Sequence, residues 1–184
     1  MRVISGFLKG RNIEGYNTIG TRPTMDRVKE SLFGMIQDYI KDSICLDLFS
    51  GSGNLGIEAI SQGASFVYLN DFNKKAVNVI KKNIDSFNIS NYVTVLNMKY
   101  QQALKFLEDK KIDIIFLDPP YDTDYIEQSI NLIEKYDLLN DDGIIVCESS
   151  EIDRIVYSDN FIKIKSKRYG DKWVVILKKV WYYS

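Results

Sequence analysis

Histidine is absent from the 184 residues. That excludes His-based triads, histidine-rich metal sites and histidine general bases. Cysteine is scarce. Cys45 and Cys147 sit inside apolar, strand-like runs without metal-ligand spacing, so they read as two reduced core thiols and no metal is expected. No apolar run approaches the roughly 20 residues needed to span a bilayer. Residues 1–11, MRVISGFLKGR, lack the apolar stretch of a signal peptide. These absences predict a cytoplasmic protein with no membrane partner. An excess of one charge is also missing: 24 Lys/Arg stand against 25 Asp/Glu, which argues against a generic polyanion binder.

The distribution of that charge is uneven. Residues 1–41 carry seven basic against four acidic side chains, and residues 161–184 carry seven against one. Residues 42–160 carry ten against twenty. Basic ends around an acidic middle suggest a catalytic body with a separate anion-facing surface, although solvated lysines would look the same.

The length fits one domain, with a hairpin-and-helix extension over 1–41 and a core over 42–184. Two glycine-punctuated segments, Val3–Gly6 and Gly10–Glu14, predict a β-hairpin. Thr24 can cap a helix whose apolar positions Val28, Leu32, Met35 or Ile36, and Tyr39 follow the 3.6-residue period. From residue 43 strand and helix patterns alternate. Strands are expected at Ile44–Phe49, Phe66–Leu69, Val93–Leu96, Ile112–Leu117 and Ile144–Cys147. Helices are expected at Leu55–Gln62, around Ala76–Ile84, around Ala103–Leu107 and around Ile126–Ile133. A last pair, Phe161–Lys165 and Trp173–Leu177, flanks a Tyr169-Gly170-Asp171 turn, and Trp173 reads as core. The expectation is a doubly wound α/β sheet, mainly parallel, with a C-terminal antiparallel hairpin.

Two loops at predicted strand ends carry chemistry. Asp118-Pro119-Pro120-Tyr121 follows the fourth strand. The Asp118 carboxylate and the Pro119 carbonyl accept hydrogen bonds, the prolines stiffen the backbone and Tyr121 offers a flat face. Such a group suits a planar molecule with an exocyclic NH2, such as a nucleobase. A proline turn beside a surface tyrosine is the plainer alternative. Asp47 to Gly56 follows the first strand, and Gly51 to Gly56 matches G-x-G-x-x-G. Gly51 and Gly53 allow a tight turn, and the helix opening near Asn54 points free N–H groups at a ligand. Asp71, twenty residues past Gly51, is placed to bind a ribose. Asp47 ahead of the glycines favours a cationic amino-acid moiety over a pyrophosphate, hence S-adenosylmethionine over a dinucleotide.

In combination, Asp47 to Ala59, Asp71 and Asp118 to Tyr121 resemble the cofactor motif, ribose acid and catalytic motif of a class I amino-methyltransferase. Thr21-Arg22-Pro23-Thr24-Met25-Asp26-Arg27-Val28-Lys29-Glu30-Ser31-Leu32-Phe33 resembles the TRPT-x-x-R-V-[KR]-E-x-L-F segment of the RsmD type of bacterial 16S rRNA guanine-N2 methyltransferases. Arg2 to Gly6, Lys9 to Arg11 and Tyr169 to Asp171 are similar to the same family's opening and closing segments. The resemblance implies methylation of the exocyclic amine of a guanosine in 16S rRNA, within an assembled or assembling small subunit. It implies S-adenosylmethionine as cofactor, with Asp47, Phe49, Gly51, Gly53, Asn54 and Asp71, together with Arg22 and Thr24, as its binding residues. Asp118, Pro119, Pro120 and Tyr121 are the implied catalytic group. One position departs: Asn97-Met98-Lys99-Tyr100 carries a lysine where the family usually has an acid facing the adenine amino group. A lysine cannot accept from that group.

Arg2, Lys9, Arg11, Arg22 and Arg27 are candidate phosphate contacts, with Lys163, Lys165, Lys167 and Arg168. Trp181, Tyr182 and Tyr183 are available for stacking. The rival readings are a DNA adenine or cytosine amino-methyltransferase, a dinucleotide oxidoreductase, and a non-catalytic RNA-binding assembly factor. The first needs a recognition region for which the chain has little spare length. The second leaves Asp118 to Tyr121 unexplained, and only Lys99 encourages the third.

Overall fold

The computed structural model describes residues 1–16 and 23–180. Helix α1 (Pro23–Ile40) precedes an alternating run: β1 (Ile44–Asp47), α2 (Asn54–Ser61), β2 (Phe66–Asn70), α3 (Lys74–Phe87), β3 (Val93–Leu96), α4 (Tyr100–Phe106), β4 (Ile112–Leu117), α5 (Tyr125–Lys135) and β5 (Leu139–Ser149). An antiparallel pair, β6 (Phe161–Tyr169) and β7 (Lys172–Lys179), ends the described chain. The strands form one sheet in the order β3-β2-β1-β4-β5-β7-β6. The first five in that order pair in parallel, and β7 pairs antiparallel with both β5 and β6. The order reverses between β1 and β4, which opens a crevice at their C-terminal ends, where open α/β sheets bind ligands.

The alternation of side chains along each strand divides the core into two layers. Ile114 and Phe116 of β4 and Ile144 and Val146 of β5 meet α1, α2 and α3. Ile115, Leu117, Ile145 and Cys147 meet α4 and α5. A sheet covered on both faces needs near-continuous apolar strands, and Ile112–Leu117 has that pattern. Both cysteines are free and buried, and burial pushes the Cys45 thiol up to about 12.

The expected hairpin over 1–16 is present in a short form: Val3 N–H bonds the Arg11 carbonyl at 2.9 Å, Gly10 N–H the Val3 carbonyl at 2.9 Å and Ile13 N–H the Met1 carbonyl at 2.7 Å, around one antiparallel bridge, Arg2 to Asn12. The donors between its arms turn to α2. Phe7 N–H bonds the Ser61 carbonyl at 3.1 Å and Leu8 N–H bonds the Ser61 hydroxyl at 3.0 Å. Gly6 makes the approach possible: a Cβ there would stand 1.7 Å from the Ser61 carbonyl oxygen. The Glu58 carboxylate, fully buried, accepts from Ile4 N–H at 2.8 Å and Ser5 N–H at 3.1 Å. Its positive partner is Lys29 of α1 at 2.9 Å, equally buried, whose ammonium also reaches the Arg2 carbonyl and the Asn54 side chain. Burial holds the Lys29 ammonium below its ordinary range, with Glu58 opposing that shift.

The expected strand and helix centres are all present. Several edges move: among them, β1 stops at Asp47, β5 begins at Leu139, and β6 runs to Tyr169. Trp173 is half-buried rather than core, and the Arg168 guanidinium lies 5.9 Å from its ring. It occupies the end of β7, where the sheet meets solvent.

Glu58→Ala leaves the Lys29 ammonium and two backbone N–H groups without their shared partner. The expected loss is about 3–5 kcal/mol of unfolding free energy, measured by urea denaturation. A loss under about 1 kcal/mol would show that the extension is not anchored through this carboxylate.

Candidate active site

The glycine loop leaves β1 at Asp47 and re-enters helix at Asn54. Ser50 N–H bonds the Asn70 carbonyl at 2.9 Å, which pins the loop to the end of β2. Gly53 takes a left-handed conformation, φ 86°, directly before α2. Gly56 is required for a different reason: a Cβ there would lie 2.1 Å from Leu69, so α2 rests directly on β2. Two asparagines complete the support. Asn83 of α3 donates to the Ser52 and Glu14 carbonyls at 3.0 and 2.9 Å, and Asn70 donates to the Leu48 and Met98 carbonyls at 3.1 and 3.0 Å. Neither stood out in the sequence, because an isolated asparagine near a strand or helix end is an ordinary turn residue.

Beside this loop opens a cavity of about 750 Å³. Phe49, Gly51 and Asp71 line one part of it, Met98 and Lys99 another, and Asp118 to Tyr121 a third. The motifs read from the sequence therefore converge on one chamber. Asp71 accepts from Gly51 N–H at 2.9 Å and from Asn73 N–H at 2.8 Å, so its carboxylate is fixed in direction. Phe49 packs near-parallel to Tyr125, with ring centres 6.1 Å apart, and Tyr100 joins them at 5.5 and 4.7 Å. Phe72, two-thirds exposed at the cavity, is a further residue that the sequence reading missed. The Lys99 ammonium lies 5.8 Å from its ring centre.

Three expected cofactor residues stand behind the chamber. The Asn54 side chain is turned to Lys29. Gly53 shapes the loop. Asp47 is buried under the loop, with one oxygen accepting from Gly56 N–H at 3.2 Å and the other, Oδ1, without a partner. Burial, together with the nearby charge of Asp118 and despite the Gly56 bond, pushes this carboxyl up to about 7. Arg22 lies outside the described residues, as does the side chain of Thr24. The same holds for Trp181, Tyr182 and Tyr183.

Asp118 is half-buried at the end of β4, and the loop after it is braced by Thr123 Oγ1 donating to the Pro120 carbonyl at 3.0 Å. Tyr121 is 64 % exposed, so its ring is free to meet an incoming planar group. Two neighbours of Asp118 were not anticipated. Lys172 of β7 places its ammonium 3.6 Å from Asp118 Oδ1 and 3.4 Å from Glu148 Oε2. Glu148 is buried beside them. The parity of the sheet explains the grouping. Asp47↔Phe116, Phe116↔Val146 and Glu148↔Val174 are aligned pairs, so Asp47, Asp118, Glu148 and Lys172 share one face at adjacent strand ends.

The donor set fits a sulfonium nucleoside. A buried carboxylate with an orphaned oxygen suits an ammonium, a glycine loop opening a helix suits the carboxylate of the same amino-acid group, and a fixed acid at the second strand end suits a ribose. They do not suit a pyrophosphate.

The basic candidates divide into two groups. Arg27 lies exposed on α1, and α1 meets β6 through the Ser31 hydroxyl on the Tyr169 hydroxyl and the Lys165 ammonium on the Met35 carbonyl at 2.6 Å. Lys167 and Arg168 stand exposed on that same strand. Arg2 begins the extension beside α1, its N–H on Asp26 at 3.5 Å. Arg11 is instead occupied at the end of α3, bonded to the Ser86 carbonyl at 2.9 Å and set over the Phe87 ring at 4.8 Å. Lys9 is exposed in the turn of the extension.

The family model described as "Conserved hypothetical protein 95" matches residues 1–178. The ribosomal RNA small subunit methyltransferase D of Buchnera aphidicola (Acyrthosiphon pisum strain) is 41% identical over 165 residues, 90% of this chain and 86% of that one. The protein of the same name from Haemophilus influenzae is 36% identical over 175 residues, covering 92% and 89%. Among solved structures, the yhhF protein of Escherichia coli superposes with a TM-score of 0.84 at 32% identity over 97% of each chain.

A raised carboxyl makes a signed prediction for Asp47. Its stabilising contribution is complete below the unfolded value of 3.8 and is lost as pH rises toward the folded value of about 7. Asp47→Asn therefore stabilises the ligand-free protein more at pH 8 than at pH 4.5, by about 2–4 kcal/mol in difference. It also weakens binding of a cationic ligand. Denaturation at the two pH values checks the first effect, and a pH-independent change would remove the assignment.

Proposed function

For a chain that belongs to the RsmD-type family of S-adenosylmethionine-dependent methyltransferases, we propose that the acceptor is the exocyclic N2 amine of a guanosine in the 16S rRNA of the small ribosomal subunit. The observation that carries this reading is the meeting of Asp118-Pro119-Pro120-Tyr121 with the glycine loop and Asp71 in one chamber. S-adenosylmethionine supplies an electrophilic methyl group on a sulfonium. Gly51 and Asp71 are the residues to hold it, with the Asp47 charge behind the loop and with Phe49 and Phe72 as apolar surfaces for its nucleoside. Lys99 offers no acceptor to an adenine amino group, so that contact falls to backbone or to the Gln101 amide at the same wall.

The chemical problem is a weak nucleophile, since the N2 lone pair is delocalised into the guanine ring. The Asp118 carboxylate and the Pro119 carbonyl accept from the two N–H groups. This aims the nitrogen and favours the positive charge that develops on it. Tyr121 stacks on the base, which must be unpaired or extruded to enter. A base–aromatic stack contributes about 1–3 kcal/mol. The exposed arginines and lysines of α1 and β6 are the proposed phosphate contacts. The protein acts in the cytoplasm, where assembled or assembling subunits are found.

The test is transfer of labelled methyl to small subunits from cells lacking the protein, with the product nucleoside identified by mass spectrometry. N2-methylguanosine is expected. Methyladenosine or methylcytosine would replace the substrate reading. Cofactor binding without transfer would bring forward the assembly-factor alternative.

Asp118→Ala abolishes transfer while the cofactor dissociation constant changes by less than about threefold, because the side chain it removes acts on the base. Normal turnover in that variant would remove Asp118 from the mechanism. Replacing Lys167 and Arg168 with alanine weakens RNA binding and reduces the slope of log affinity against log salt by about one for each phosphate no longer neutralised. An unchanged slope would place the RNA elsewhere.

A further inference from the structure

The group formed by Asp118, Glu148 and Lys172 contains more ionisable chemistry than holding a base requires. Glu148 is 6 % exposed at the end of β5, on the same face of the sheet as Asp118 at the end of β4. Lys172 bridges the two at 3.4 and 3.6 Å. A buried carboxyl beside a second carboxylate is costly when ionised, and a bridging ammonium only partly relieves it. A structural role would be met better by an apolar residue at this position.

Resting on the function proposed above, we propose that Glu148 is the final acceptor of the proton released by N-methylation, with Asp118 as relay and Lys172 as the positioning cation. The step balances. The N–C bond forms as the S–C bond of the donor breaks, which leaves the nitrogen with one surplus proton. That N–H bond breaks, its electron pair returns to nitrogen, and an O–H bond forms on Asp118. The proton then exchanges onto Glu148 and leaves to water after the product departs. Asp118 is thereby free of the proton before the next base arrives.

The titratable groups around Glu148 come from several elements. Asp118 ends β4, Tyr121 lies in the following loop, and Lys172 is on β7. Arg154 and Glu151, paired at 3.0 Å in the turn after β5, line the same chamber. Asp47 of β1 feels the charge of Asp118. Burial first, then the charge of Asp118, pushes Glu148 up to about 8 against the pull of Lys172. Burial works against the Lys172 charge, but Asp118 and Glu148 outweigh it and hold the ammonium above its ordinary range. The unprotonated form of Glu148 is the one ready to accept.

The experiment compares the wild-type protein with Glu148→Gln, Lys172→Met and Lys172→Arg at saturating small subunit and methyl donor. Wild-type kcat is expected to rise about tenfold from pH 7 to pH 9, as a carboxyl with a value of about 8 ionises. Glu148→Gln keeps the shape and one hydrogen bond but cannot take a proton. Its profile is flat, converging with wild type near pH 7 and falling about tenfold below it near pH 9. Lys172→Met moves the inflection upward and Lys172→Arg restores it, with cofactor affinity unchanged in each. Parallel profiles for wild type and Glu148→Gln overturn the proposal.

A second readout needs no turnover: the 13C shift of the Glu148 carboxyl in the ligand-free protein. Titration near pH 8, moved upward in Lys172→Met, is expected. Titration at the ordinary value of 4.5 overturns the inference. Wild-type protein that transfers no methyl while Glu148 titrates near pH 8 would instead count against the function proposed above.

Discussion

The Glu58 carboxylate, buried on α2 one turn after the glycine loop, is the point through which the architecture of the site is tied together. Its partner Lys29 comes from α1, and its backbone donors Ile4 and Ser5 come from the extension. Lys29 in turn holds Asn54, the first residue of α2. One buried ion pair thus joins three segments that also share an apolar core. A buried pair of this kind is weak evidence for net stability, since desolvation offsets most of its attraction. Its value here is directional. The glycine loop must present its N–H groups in a set geometry before a ligand arrives, and a loop whose helix is fixed at Asn54 and Glu58 loses less entropy on binding.

The same economy of charge runs through the strand ends. Asp47, Asp118 and Glu148 occupy one face of adjacent strands with a single lysine, Lys172, among them. Such a cluster would be disfavoured in a protein without a cationic ligand, and two of its members have carboxyls pushed up toward neutrality. A sulfonium and an ammonium entering the chamber change that balance. Perturbed carboxyls in a cleft mark functional positions.

The parallel sheet, its helices and the convergence of Asp71 with Asp118 were legible because each rests on local pattern: apolar period, glycine spacing, and acids at strand ends. The residues that remained hidden depend on register. Glu148 and Lys172 are separated by a turn and a whole edge strand, and only the alignment of β5 with β7 brings them to Asp118. Asn70 and Asn83 act by bonding loops from other elements, which no local window reveals. The N-terminal segment reads as a hairpin because its glycines resemble turn punctuation. Gly6 does more than punctuate that turn: it permits close contact with Ser61, while the Ile4 and Ser5 donors between the hairpin's arms go to α2. Trp173 was read as core from its strand pattern, yet the end of β7 lies at the sheet margin, where half of a strand residue meets water.

Strand β6 raises a different question, since an open edge of seven successive exposed residues invites pairing with another chain. Lysines at 163, 165 and 167 discourage that pairing whether or not they bind anything, so their charge alone does not identify a nucleic-acid surface. Placement argues for one. The strand runs alongside α1, whose exposed face carries Arg27, and the Tyr169 hydroxyl and Lys165 ammonium tie the two elements. Lysines serving only to guard an edge have no need of a fixed helix beside them. The phosphate backbone of the proposed substrate would, because neutralising it at several points would hold the nucleotide in register while the base is drawn toward Tyr121.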